Sequence, residues 1–170
     1  MNAEPLLHRI AKVLAEHRLK AIMIGNATSA LHGAPVTTLD IDFMFRKTPT
    51  NLNKLKAVAN DLRATILKPN YPVSDLFRVV NDEQGIQLDF MTRLHGIRSF
   101  EGMKSRATPI VFGEYRLLVA SRADNEKVLA ALKEKAQWTI ADKIRRLLPL
   151  PMNKRTHFLR VRHPGGGSHL

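Results

Sequence analysis

Residues 21–45 read AIMIGNATSALHGAPVTTLDIDFMF. The apolar run AIMIG (21–25) has the length of a short buried strand and stops at a glycine. Residues 26–32 are small and compatible with a helix, which Gly33-Ala34-Pro35 ends. A second apolar run, LDIDFMF (39–45), reads as a strand carrying Asp40 and Asp42. In a strand, residues two apart point to the same face, about 6.5 to 7 Å apart. Asp40 and Asp42 are therefore expected to project together, with Leu39, Ile41 and Phe43 on the opposite side. Two carboxylates on one face of an apolar strand repel each other and resist desolvation, so a positive group belongs between them. That group is either a Lys or Arg side chain or a metal ion. Mg²⁺ suits the second case because it takes oxygen ligands from one or two carboxylates, keeps waters and completes its shell with substrate phosphates.

LFRVV (76–80) and IQLDFMT (86–92), separated by the turn-like NDEQG, read as an antiparallel hairpin, and the second of these strands brings a third carboxylate, Asp89. Laid beside the first acidic strand in one sheet, it brings Asp89 next to Asp40 and Asp42. Three carboxylates on adjacent strands make the protein half of a two-metal phosphoryl-transfer site. A lone Asp-x-Asp is often an edge-strand solubiliser. Here both acidic strands are otherwise apolar, so their carboxylates sit where stability alone would not choose them. The segment before the aspartates fits the same chemistry. A strand that ends at Gly25 and passes through Asn26-Ala27-Thr28-Ser29 into a helix presents backbone N–H groups at a helix N-terminus, a cradle for triphosphate oxygens. Gly25 lets the backbone approach closely, while Asn26, Thr28 and Ser29 add side-chain donors or cap the helix; for Thr28 and Ser29 taken singly, capping is the more ordinary role.

The rest of the chain alternates helix and strand. Residues 4–18 place Leu6, Leu7, Ile10, Val13 and Leu14 at helical spacing. Thr48-Pro49-Thr50 leads into a helix over 51–66, residues 98–104 form a short helix, and 108–121 form one or two strands around Gly113. Residues 123–148 are helical, with a candidate break at Gln137-Trp138-Thr139. The expected organisation is a core over 1–121, a helical segment packed on it over 122–148, and a basic, flexible tail over 149–170. At 170 residues, with 44% hydrophobic and 25% charged residues, the composition is that of a globular domain. The absence of cysteine excludes disulfides and thiolate metal sites and fits a reducing cytoplasm. No run approaches the roughly 18 apolar residues that would cross a bilayer, so no membrane partner is expected.

Strand, glycine turn, short helix, acidic strand and a later strand with a third Asp together resemble the DNA polymerase β-like nucleotidyltransferase superfamily. More closely, GNATSALHGAPVTTLDIDFMF is similar to the G-G-x-A-x-x-x-H-G-x-P-R-x-T-x-D-I-D signature of the AbiEii-like and MenT-like group, which includes toxins of bacterial toxin–antitoxin and phage-defence systems. Gly25, His32-Gly33, Pro35, Thr38, Asp40 and Asp42 fall in place, and LLVASRAD (117–124) resembles the V-A-S-x-x-D stretch with which that group continues. The sequence departs from the pattern at Asn26, where a second glycine is usual, at Val36, where an arginine is, and at Leu129, where a lysine is. Lys127 or Lys133 would substitute for that lysine. The resemblance implies an α/β (α+β) fold with a mixed twisted sheet flanked by helices. It implies two Mg²⁺ (or Mn²⁺) ions on Asp40, Asp42 and Asp89, Asp89 accepting the proton of the attacking hydroxyl, and an NTP whose phosphates meet Gly25 and Asn26. His32 is expected to make a structural hydrogen bond rather than take part in catalysis.

Charge bears on the acceptor. Lys plus Arg total 27 against 15 Asp plus Glu, a formal net charge of +12. Such an excess favours a polyanionic partner through phosphate neutralisation. With Arg145, Arg146, Lys154, Arg155, Arg160 and Arg162 gathered toward the C-terminal end, the expected acceptor is RNA, such as a tRNA 3′ end. A protein or small-molecule acceptor is the nearest enzymatic alternative. Outside enzymology, the alternative is a degenerate nucleotidyltransferase fold that only binds RNA or an antitoxin protein.

Overall fold

The computed structural model of the chain describes residues 4–38, 40–69, 75–94, 97 and 99–147, the stretch 135–147 by its backbone path alone. The expected tail at 149–170, and with it the basic cluster from Lys154 to Arg162, lies outside the described residues.

The first helix, α1 (Glu4–Glu16), buries Leu7, Ile10, Ala11, Val13 and Leu14 along one stripe. Strand β1 (Ala21–Ile24) is buried throughout and passes directly into α2 (Gly25–Leu31). Strand β2 (Ile41–Phe45) begins after Asp40, later than the apolar pattern suggests, so Asp42 lies in the ladder and Asp40 just before it. Helix α3 (Pro49–Asp61) starts on Thr48, whose hydroxyl accepts from the Asn51 N–H at 3.1 Å, with proline in the first turn.

The expected continuation of this helix to residue 66 is wrong. Arg63 takes a left-handed conformation (φ 50°), and Thr65–Leu67 leaves the helix as strand β3. Two bonds from Asn81 Nδ2, to the Leu62 and Arg63 carbonyls at 3.1 and 2.9 Å, hold the turn. A partner 18 residues or more away in sequence thus overrides the local helical pattern.

Strands β4 (Leu76–Asn81) and β5 (Ile86–Met91) form the expected antiparallel hairpin. Helix α4 (Phe100–Arg106) precedes a second hairpin, β6 (Thr108–Phe112) and β7 (Tyr115–Val119). Helix α5 (Arg122–Leu147) runs without the expected break at 137–139, in keeping with a segment that contains neither glycine nor proline.

The described strands form one seven-stranded sheet in the order β3-β4-β5-β2-β1-β7-β6. β2 pairs in parallel with β5, and β1 in parallel with β7; the other neighbours are antiparallel. Alternation along the strands gives the sheet two apolar faces. Met23, Phe43, Phe77, Val79, Leu88 and Phe90 meet α1 and α3 on one face. Ile22, Ile24, Met44, Met91 and Ala120 meet Phe100 and Met103 of α4 and Val128 of α5 on the other. Among the described residues no helix is long and apolar enough to cross a membrane.

Candidate functional site

Register creates the site. In the parallel pair β2/β5, Asp42 stands opposite Asp89; in the antiparallel pair β5/β4, Asp89 stands opposite Arg78. Directly paired residues share a sheet face, so Arg78, Asp89 and Asp42 form a row across three strands. It lies on the face that α4 and α5 cover farther along. Asp89 is buried, 4% exposed. Arg78 binds it with a planar fork: Nε donates to Oδ1 and Nη2 to Oδ2, each at 2.7 Å. Such a bidentate pair is strong and geometrically specific.

Among the described residues Asp42 has no comparable partner. Burial pushes its carboxyl up from 3.8 to about 7, the negative charges of Asp89 and Asp40 add to the rise, and Arg78 opposes it. Asp40 is fixed at the mouth of β2 by Thr38. The Asp40 N–H donates to Thr38 Oγ1 at 3.2 Å, and the same hydroxyl donates to the Asp40 carbonyl at 3.0 Å.

Gly25 sits against this row. Its φ of +77° is left-handed, and a Cβ there would lie 2.3 Å from Asp42 Oδ2. The glycine is thus required twice, by the turn and by the carboxylate packed on it. Its own N–H is engaged within the chain. That N–H donates to Asn125 Oδ1 at 2.7 Å, while Asn125 Nδ2 donates to the Gly25 carbonyl and to Ser29 Oγ, both at 3.0 Å. Asn125 is 2% exposed, and its amide ties α5 to the turn.

Of the other residues expected at the nucleotide, Asn26 is exposed at the start of α2. Thr28 is fully enclosed, its Oγ1 without a partner among the described residues, so it presents nothing to the cleft. Ser29 is engaged with Asn125 and, at 3.4 Å, donates to the Gly25 carbonyl. Lys127 and Lys133 are exposed on α5. His32 Nε2 lies 2.9 Å from the Ala120 carbonyl, the expected structural hydrogen bond, and Arg122 Nη2 donates to the His32 carbonyl at 3.2 Å. Ser29, His32, Ala34, Arg122, Asn125 and Glu126 line a cavity of about 250 Å³ between α2 and α5. Val36, at the position of the missing arginine, is exposed.

The start of α5 is fastened independently. Asp124 accepts from Arg106 Nε at 2.8 Å and Nη2 at 3.0 Å, and from Ser121 Oγ at 3.1 Å. The bonds from Arg106, then Ser121, outweigh burial and hold its carboxyl below the usual range. The LLVASRAD stretch is therefore a structural joint that places Asn125.

Asp40 and Asp42 offer hard oxygen donors of the kind that suits Mg²⁺ or Mn²⁺. The desolvated Asp42 carboxylate, with two like charges beside it, is a group a cation would stabilise. Each oxygen of Asp89 already accepts from Arg78, and among the described residues no group of three His, Cys, Asp or Glu side chains is placed to hold one metal ion. The residues fit a divalent ion on Asp40 and Asp42.

Two residues of the site lie beyond the sequence-based expectations. Arg78 is legible in principle: pairing Asn81 with Ile86 across the hairpin turn and counting back puts Arg78 opposite Asp89. Asn125 carries no local signal, since its partner lies 100 residues earlier.

No protein-family model and no curated protein matches the sequence. The fold matches solved structures. A candidate nucleotidyltransferase from Thermotoga maritima, TM1012, superposes with a TM-score of 0.57 at 16% identity, over 84% of this chain and 90% of that one. The antibiotic-resistance factor ANT(2'')-Ia superposes with a TM-score of 0.48 at 17% identity, over 85% and 88%. The chain has the mixed α+β fold of its Thermotoga neighbour, consistent with the polymerase β-like nucleotidyltransferase architecture that its glycine-to-aspartate signature resembles.

Proposed function

We propose that the protein is a metal-dependent nucleotidyltransferase that moves NMP from an NTP to an acceptor hydroxyl. The observation that carries this reading is the contact between Gly25 and Asp42. A positive-φ glycine packed on a desolvated carboxylate, next to Asp40 and in register with Asp89, puts a tight glycine turn and a cluster of like charges at one point. Mg²⁺ or Mn²⁺ on Asp40 and Asp42 would neutralise phosphate and polarise the reacting centre. The acceptor oxygen forms a bond to the α-phosphorus, the bond from that phosphorus to the α,β-bridging oxygen breaks, pyrophosphate leaves, and the hydroxyl proton passes to water. The chain's part is positioning and charge. Asn125 locks Gly25 so that the turn cannot drift, Thr38 holds Asp40, and Arg78 fixes Asp89.

The net charge of +12 supports RNA, such as a tRNA 3′ end, as the acceptor. The resemblance of the signature to the AbiEii-like and MenT-like group supports a role as the toxin of a toxin–antitoxin or phage-defence pair, with an antitoxin protein as partner. A second reading, an RNA- or partner-binding module with an impaired site, is favoured by the pairing of Asp89 with Arg78 and by exposed Val36 where the pattern has arginine.

One assay separates the two. The full chain is incubated with Mg²⁺, each α-labelled NTP and total tRNA. Label transfer by wild type that is lost in Asp42→Ala is expected. No transfer with any NTP, together with a salt-sensitive RNA shift that survives Asp42→Ala, favours the binding module and sinks the enzyme reading.

A further inference from the structure

We propose that Arg78 is a built-in second cation, so that the acidic site takes one divalent ion, on Asp40 and Asp42, rather than two. The inference deepens the nucleotidyltransferase reading and rests on it. It starts from the row Arg78–Asp89–Asp42 that the strand register imposes. Asp89 is in the middle of β5, held by β4 on one side and β2 on the other, so its backbone keeps the carboxylate on the sheet face it shares with Arg78.

Both Asp89 oxygens accept from one guanidinium at 2.7 Å. An ion bridging Asp89 and Asp42 would stand against that positive charge. Arginine cannot clear the site by losing a proton, because its guanidinium stays charged in proteins. The pair therefore removes Asp89 from the set of free metal donors while leaving the total charge of the row close to that of an ion-filled one.

Arg78 is also placed to act on substrate. Its side chain is 34% exposed, and Nε and Nη2 are committed to Asp89, which leaves Nη1 without a partner among the described residues. A guanidinium so fixed offers a donor to a phosphate oxygen at the edge of the row, on the far side of Asp89 from Asp42. A phosphate met there lies on the side of the row away from the Gly25 turn.

The test is the binding of Mn²⁺ alone to the full-length chain, with free Mn²⁺ followed by electron paramagnetic resonance. Wild type is expected to take one ion per chain and Asp42→Asn none. Arg78→Gln, which uncovers Asp89, is expected to gain a second ion, and Arg78→Lys, which retains the charge, to stay at one. Should Arg78→Gln not fold with Asp89 left unpaired, the charge-neutral double variant Arg78→Gln with Asp89→Asn decides. It is expected to bind its ion within about threefold of wild type, because losing even an outer support of a true ligand costs roughly 10- to 100-fold in metal affinity. A tenfold or greater loss in the double variant would make Asp89 a ligand and overturn the inference. Two ions on wild type, or one on Arg78→Gln, would overturn it while leaving the metal-dependent reading intact. No ion on wild type, with no label transfer in the assay above, would remove both.

Discussion

Asp42→Asn is predicted to stabilise the protein above neutral pH, in the absence of divalent ions, and to do so progressively as pH rises. The Asp42 carboxyl is raised from 3.8 to about 7, by burial first and then by Asp89 and Asp40. Below about pH 4 it is protonated in both folded and unfolded chains and contributes no pH-dependent term. As pH rises past the unfolded value, the unfolded chain gives up this proton while the folded chain keeps it, so stability falls. The fall levels off above the folded value of about 7. The full difference corresponds to about 4 kcal/mol, of which about 2 to 3 kcal/mol accrues between pH 5 and pH 8. For a chain of this size the change is worth on the order of 5 to 10 °C in Tm. The assay is thermal unfolding of wild type and Asp42→Asn by circular dichroism at pH 5, 6, 7 and 8, with EDTA present. The Tm advantage of the variant should widen across that series. Adding Mg²⁺ at pH 8 should then raise the wild-type Tm and leave that of the variant unchanged. A difference between the two proteins that stays flat from pH 5 to pH 8 would refute the reasoning, because it would mean that Asp42 is already charged and compensated in the fold.

Three further outcomes follow from the same geometry. Gly25→Ala places a Cβ in left-handed backbone and on Asp42 Oδ2; it should cost at least about 1 kcal/mol in urea unfolding and lower label transfer by on the order of 100-fold, as small displacements at reacting centres do. Asn125→Leu leaves the Gly25 N–H and carbonyl buried without their partners; a loss of about 2 to 4 kcal/mol, read from the urea midpoint, is expected. At the end of β1 away from Gly25, Arg18, Lys20 and Arg116 line a groove of about 190 Å³ whose lining contains no acidic residue. If RNA is the acceptor and tracks this groove, Arg18→Glu with Arg116→Glu should weaken tRNA binding and flatten its log-salt slope by about 1 for each phosphate no longer neutralised, whereas an unchanged slope would place the RNA elsewhere.

The sequence disclosed what periodicity and punctuation can disclose. The strand that ends at Gly25, the acidic strand, the hairpin over 76–91 and the order of helices are set by local patterns of apolar residues and by Gly, Pro and capping hydroxyls. It disclosed poorly what depends on distant partners. The end of α3 is fixed by Asn81, and nothing in residues 51–66 announces that the last of them form an edge strand. The same holds in the site. Asp40 and Asp42 are visible because carboxylates in an apolar run are anomalous by themselves. Arg78 is not, because an arginine in a partly exposed strand is ordinary until the register sets it against Asp89. Gly25 is visible as a turn, yet the asparagine on the last helix that bonds its N–H is not.

Those two long-range partners alter the chemistry in opposite directions. Asn125 makes the glycine turn rigid but takes away its first N–H, so any phosphate held there must be held by Asn26 and by the later amides of a short helix that has no side-chain cap. Less is then available to bind phosphate through the backbone than the signature suggests. Arg78 adds a permanent positive charge at the other end of the row, on a rigid strand, with Nη1 unpartnered among the described residues. A site that has given up a backbone donor, lacks the arginine that Val36 replaces, and has one carboxylate paired internally can still balance an NTP if that arginine and a single ion share its charge. Without Arg78, Asp89 becomes an unpaired buried carboxylate beside Asp42, and under the proposed function a second ion has to take the place of its positive charge.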